Sequence, residues 1–258
     1  MKMRSITLSV FVSLLVFTSC KKDAKAPTPV IPPVATDEQL IPANGRVSHY
    51  LFNGNLRDTS GNSHHGGEAS GLAFGTDRFN RTDRALALNG TTTDFETNGI
   101  GLTFPFCFSF WMNATDPSAI SALFQSDKTP GAYYGSWLQL SVASPNKLAF
   151  SFGDGTGTSG GSRNSLLSSV SFSANQWYHI VINVRGANDM DLYINGARDN
   201  SAAYDGSATA IVYSFANPAS VIGSAFGNQN FSGKIDDFRV YNRVLSATEV
   251  SSLYNFQP

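Results

Sequence analysis

Residues 176–199, QWYHIVINVRGANDMDLYINGARD, decide how the rest of the chain is read. Tyr178, Ile180, Ile182 and Val184 fall on one side of an extended segment. Met190, Leu192 and Ile194 fall on one side of the next. Between them stand mostly polar residues, so the period is two, as in strands that give one face to a core. Gly186, Ala187 and Asn188 form a short turn, and Asn195-Gly196 supplies the pair that tolerates positive φ in a tight hairpin.

Outward from this hairpin the same grammar recurs. Strands are expected at 47–52, 85–88, 106–113, 120–125, 137–142, 148–152, 220–223 and 234–241. The segment 106–113 is apolar throughout and should be covered on both faces. The glycine- and serine-rich stretch 153–165 reads as a mobile loop. One helix is expected at the end: Ser246 and Glu249 fit a capping box, with Val250, Leu253 and Tyr254 on one face. The expected fold is all-β, two antiparallel sheets packed as a sandwich, with a short C-terminal helix.

The chain has 258 residues, 23 of them glycine, with 14% charged residues and a formal net charge of −1. That suits one large β domain and offers no basic run to hold nucleic acid. Residues 1–20 read as a targeting segment, outside the fold. Lys2 and Arg4 precede an apolar run at 6–17, and small residues lead to Cys20. This resembles a bacterial lipoprotein signal, in which acylation of Cys20 anchors the chain to a membrane. Residues 21–45 form a tether, with Pro27, Pro29, Pro32 and Pro33 favouring an extended chain. The domain proper spans 46–258. Cys107 is its one cysteine and reads as a buried, inert thiol.

Four blocks in order, YLFNGNLRDTSGN (50–62), FCFSFWMNA (106–114), QWYHIVINV with DLYING (176–196) and FSGKIDDFRVYNRVLSATEVSSLY (231–254), resemble the concanavalin A-like lectin/glucanase superfamily. Within it, the likeness is to laminin-G-like, pentraxin-like jelly-roll domains. The resemblance implies a jelly-roll sandwich and a lectin-like role, although such folds also carry glycosidases and protein-binding domains.

Asp58, Ser60 and Asn62 offer oxygen at alternate positions of one loop, as hard cations such as Ca²⁺ prefer. The resemblance adds Asp236, because related domains bring the first and last strands together. The same residues also fit an Asx-type turn beside a surface acid pair. For sugar binding, Tyr133, Tyr134 and Trp137 cluster between Gly131 and the next strand, with Asp127 and Lys128 nearby; their rings could stack on a pyranose face. Trp111 and Trp177 read as core. A glycosidase needs two carboxylates flanking the scissile bond. The domain's glutamates are Glu68, Glu96 and Glu249, no Glu-x-Asp-x-Glu strand is present, and Asp189 and Asp191 read as solvated. The GTSGG run at 157–161 lacks the strand-turn-helix setting of a nucleophile elbow. His64 and His65 read as exposed loop residues. The sequence therefore points to a non-catalytic carbohydrate-binding domain, lipid-anchored in the cell envelope at the outer membrane or cell surface, binding polysaccharide or glycan. A protein-adhesion domain is the alternative, and a glycoside hydrolase a more remote one.

Overall fold

A computed structural model describes residues 41–67, 72–91, 94–97, 100–214, 219–226 and 229–257. Cys20, the targeting segment, most of the tether and Glu68 lie outside the described residues. Two antiparallel sheets face each other. The first holds β1 (Arg46–Tyr50), β2 (Ala73–Gly75), β3 (Ala85–Asn89), β5 (Phe106–Ala114), β10 (Trp177–Gly186), β11 (Asp189–Ile194), β12 (Ala197–Arg198) and β15 (Ser232–Tyr241). Its order is β12-β11-β10-β5-β15-β3-β2, with β1 also paired to β15. The second holds β4 (Phe95–Thr97), β6 (Ser121–Gln125), β7 (Ser136–Leu140), β8 (Leu148–Gly153), β9 (Arg163–Leu167), β13 (Ala203–Gly206) and β14 (Ser220–Ile222). Its order is β13-β9-β8-β7-β6-β14-β4.

Alternation builds the core. Tyr178, Ile180, Ile182 and Val184 of β10 and Met190, Leu192 and Ile194 of β11 all point into it, as their spacing requires. Phenylalanines from both sheets meet there: Phe108 lies 5.0 Å from Phe124 and 6.0 Å from Phe150, ring centre to ring centre. Such pairs add about 0.5–1.5 kcal/mol each beyond the area they bury. The hairpin turn after β11 uses Asn195 and Gly196 at φ 52° and 78°. The helix α1 (Ala247–Asn255) opens with the capping box of Ser246 and Glu249. Its Val250 and Leu253 bury against Cys107, Val181 and Tyr241 on the outer side of the first sheet, so β5 is covered on both faces. Tyr254 stays 37% exposed and stacks on Trp111.

The structure corrects the reading of the 153–165 stretch and of Asp191. The 153–165 stretch is partly ordered backbone: Gly160–Ser162 makes a 3-10 turn and β9 begins at Arg163, paired with Gly153 of β8. The strand was hidden because an inward position carries Asn164, whose amide donates to Ala187 O, Asn188 Oδ1 and Ala208 O. Asp191 is buried, held by Arg185 and Arg198, while Asp189 is exposed.

Strand β15 carries a bulge. Asp236 pairs with Trp111 and Arg239 with Ser109, three residues against two, and Asp237 is the extra residue at φ 50°. The bulge lets Asp236 and Asp237 both face outward while Ile235 and Phe238 stay in the core. Arg78 bridges them, with Nη1 2.8 Å from Asp236 and Nη2 3.0 Å from Asp237. Arg239 Nη2 also lies 3.0 Å from Asp237. Burial pushes the Asp236 carboxyl up to about 8, helped by the Asp237 charge and opposed by Arg78. Burial opposes ionisation of Asp237 as well, but Arg239, His49 and Arg78 together hold it well below the usual carboxylate range.

Asp237 therefore needs its charge and Asp236 does not. Asp237→Asn is expected to cost about 3 kcal/mol at pH 7, the scale of a broken buried ion pair. Asp236→Asn should not destabilise the fold at pH 7 and is expected to stabilise it, because an amide mimics the protonated form without the cost of taking up a proton on folding. The signs with pH are opposite. The stabilisation from Asp237 exists above the unfolded value near ~3.9 and is lost on acidification below it. That from Asp236 exists below that value and is lost as pH rises through about 8. Urea melts from pH 3 to 9 check this: Asp236→Asn should flatten the decline between about pH 4 and pH 8 and leave the loss below about pH 4 in place.

Candidate functional site

The outer face of the second sheet is built by the residues that alternation excludes from the core. Leu138, Phe150 and Leu166 point inward. Their neighbours Trp137, Ser151 and Ser165 point outward, and the register aligns them: Gln125 pairs with Trp137, Trp137 with Ser151, Ser151 with Ser165, and Ser165 with Asp205. In the other direction Gln125 pairs with Val221, and Val221 with Glu96. One rung of side chains thus crosses all seven strands. At about 4.8 Å between strands, it runs roughly 29 Å.

Two cavities lie along this rung. One, of about 520 Å³, is lined among others by Gln125, Lys128, Thr129, Val221 and Ser224. The other, of about 480 Å³, is lined among others by Gln139, Ser151, Arg163, Ser165 and Gln229. Tyr133 and Phe226 border both and form the ridge between them. Beneath the ridge lies Trp137, 2% exposed, with its ring 5.1 Å from Tyr133 and 5.4 Å, edge to face, from Phe226. Phe226 itself is 41% exposed.

Backbone bonds fix the ridge. Tyr133 N donates to Gly157 O and Gly155 N donates to Tyr133 O, extending the β7–β8 ladder into the loop. Gly153 permits that approach, since a Cβ there would lie 2.1 Å from Tyr133 O. Asp127 is buried and accepts from Thr129 N and Ser214 N, tying the loop to the segment before β14. Phe226 N donates to Gln125 Oε1, which ties the ridge to the sheet.

The structure brings Tyr133 and Trp137 together but alters their roles. Trp137 is a support under the ridge, and Tyr133 is the accessible ring. Tyr134 borders neither cavity; it packs toward Gly155 near Val212. Lys128 pairs with Glu96 at the edge of the first cavity. Sequence reasoning missed Phe226. Its one signal was a large apolar side chain among small residues, in SAFGN (224–228), where a strand has already ended.

On the other sheet, Trp111 is 7% exposed and lies outside the inter-sheet core, between His179 and Tyr254. Trp177 is half-buried beside it, where a core position was expected. Cys107 is fully buried, and burial pushes its thiol up, as an inert role requires.

The Asp58 loop is a hydrogen-bonded staple. Asp58 Oδ1 accepts from His49 N and Ser60 N, and Oδ2 from Ser60 Oγ and His64 N, at 2.8–3.0 Å. These donors outweigh the burial that works against ionisation and hold Asp58 below the usual carboxylate range. Asn62 Nδ2 donates to Arg46 O and Val47 O. His64 is half-buried and His65 Nδ1 accepts from Asp58 N, so both histidines brace the loop. The first and last strands are neighbours, as expected, but Asp58 bridges Tyr50 on the far side of β1 from β15. Asp236 lies on β15, on the other side of β1, where its carboxyl accepts from Arg78 Nη1. The four residues expected to share a cation do not converge, and Asp236 faces Arg78 instead. Calcium needs six to eight oxygens at 2.3–2.6 Å. This donor set does not fit it, and among the described residues no group of three or more His, Cys, Asp or Glu side chains gathers elsewhere.

The Laminin_G_3 family profile, described as the concanavalin A-like lectin/glucanases superfamily, matches residues 89–251. No curated protein matches the chain. Among solved structures, domain 4 of AbnA, an extracellular arabinanase from Geobacillus stearothermophilus, determined with arabinotriose, superposes with a TM-score of 0.60 at 20% identity; the match covers 81% of this chain and 98% of that one. The binding domain of Paraclostridial Mosquitocidal Protein 1 gives 0.63 at 20% identity over 83% of this chain. The ligand-binding domain of botulinum neurotoxin serotype D, with N-acetylneuraminic acid, gives 0.59 at 16% over 86%. The chain spans about half the length of those two toxin domains, 52% and 53%. These likenesses establish the sandwich fold.

Since the Asp58 oxygens are already occupied by four donors, melting temperatures in EDTA and in excess Ca²⁺ are expected to coincide. A rise with calcium would mean that the staple rearranges into the cation site expected from the sequence.

Proposed function

The chain belongs to the concanavalin A-like lectin/glucanases superfamily, and from that premise we propose that it is a non-catalytic carbohydrate-binding domain whose site is the groove across the second sheet. The observation that carries this reading is the aromatic ridge of Tyr133 and Phe226 standing over a floor of amides and hydroxyls. Sugar rings have apolar faces rimmed by hydroxyls. An exposed ring beside Gln and Ser side chains meets both needs, and the apolar burial and hydrogen bonds reinforce each other. The arabinotriose and N-acetylneuraminic acid in two of the similar structures support a glycan as the ligand.

Of the groove's acids, Glu96 is tied to Lys128 and Asp205 to Arg163, which leaves Asp94 without a second free carboxylate, where a glycosidase needs a pair across the scissile bond. At the other end of the chain, the Lys2–Arg4 start, the apolar run and Cys20 support a lipid-anchored envelope protein at the outer membrane or cell surface.

On a glycan array the purified chain is expected to bind a defined set of polysaccharides without releasing reducing sugar. Tyr133→Ala and Phe226→Ala should each weaken binding by on the order of tenfold, about 1.4 kcal/mol. Tyr134→Ala should leave it unchanged. Binding untouched by both ridge variants would place the site elsewhere. In detergent phase separation of producing cells, the native chain should enter the detergent phase and Cys20→Ser the aqueous phase.

A further inference from the structure

The charges along the groove separate classes of glycan. In the second cavity, Arg163 Nη2 is 2.6 Å from Asp205 and its Nη1 donates to Ser165 Oγ. At the first, Lys128 is paired with Glu96, and Asp94 adds a further acid. Burial raises the Asp94 carboxyl above the usual range, with Glu96 adding to the effect against Lys128. Among the described residues bordering the two cavities, each cation already has a carboxylate partner. A carboxylate or sulfate on a sugar would give up its water and find no unpaired cation, next to the acids Asp94 and Glu96. The remaining polar partners are neutral: Gln139, Gln229, Ser151, Ser224 and Thr129. Such groups donate to and accept from hydroxyls without a charge penalty.

The geometry of the ridge limits the length of the ligand. The two cavities lie on one straight rung, and Tyr133 and Phe226 border both. A single ring fills one side only. A chain that crosses the ridge stacks on Tyr133 and Phe226 at its middle and reaches hydrogen-bonding groups on both sides. Joining two weak subsites through one ligand raises affinity steeply, because the second engagement is intramolecular.

We propose that the groove takes an internal stretch of a neutral polysaccharide, laid across the strands and over the Tyr133–Phe226 ridge into both cavities. This rests on the groove being the sugar site. Titration calorimetry at low salt tests it on the full chain, using xylo-, cello- and arabino-oligosaccharides of increasing length and oligogalacturonides as the acidic series. For the neutral series that binds, affinity should rise at least tenfold from the disaccharide to the hexasaccharide. The acidic hexamer should bind at least tenfold more weakly than the neutral one. Thr129→Val and Gln139→Ala, one on each side of the ridge and both checked for unchanged melting, should each weaken the hexasaccharide several-fold. Tighter binding of the acidic series, or a disaccharide that binds as well as the hexamer, would overturn the proposal and leave the groove as a sugar site. An effect of only one of the two side variants would confine the ligand to that cavity and overturn the spanning mode. No binding by either series, with no response to the ridge variants on polysaccharides, would remove the site itself.

Discussion

Every strand of the second sheet has to divide its side chains between two environments, and this division makes the groove. Leu138, Phe150 and Leu166 are drawn inward to meet phenylalanines of the first sheet. The pleat then forces Trp137, Ser151 and Ser165 to the opposite face. Antiparallel register lines them up across neighbouring strands. A one-residue slip would send Trp137 into the core and Leu138 into water, so the packing that stabilises the sandwich also sets the register of the binding face.

The first sheet solves a different problem. Both its faces are covered near β5, one by the inter-sheet core and one by α1 and the chain's first described residues. A strand with two buried faces leaves its polar groups without water, and they must find partners. The bulge at Asp237 turns two successive acids the same way; Arg78 bonds to both, and together with Arg239 it neutralises the Asp237 charge. His49 fits the same scheme: burial, with Arg239 beside it, lowers the imidazole to about 4, so it adds no charge at neutral pH. The rigid sheet therefore carries buried charge, while the other sheet leaves its polar face open for a ligand.

Much of the fold was legible because alternation is a local property. The 176–199 hairpin, the apolar β5 segment and the capping box at Ser246 each declare themselves within about twenty residues. The β9 strand did not, since buried Asn164 broke the apolar pattern and its compensating hydrogen bonds come from distant segments. The site was half legible. Tyr133 and Trp137 were found because they sit within one loop; Phe226 was not, because it joins them from about ninety residues further along the chain.

The sequence by itself determined the strands whose apolar residues alternate or run together, the faces they bury, the two-layer architecture and the terminal helix, but not β2, β4, β9, β12 and β13. It also held the aromatic residues from which the ridge is made. Only the tertiary structure decided what each polar residue does. Asp236 bonds to Arg78, 158 residues away in sequence, and Asp58 closes on its own loop across β1. Trp137 became a support because Phe226 and Tyr133 cover it. The physical reason is range: hydrophobic alternation is written residue by residue, whereas charge pairing and aromatic contact depend on which strands the folded sheets bring side by side.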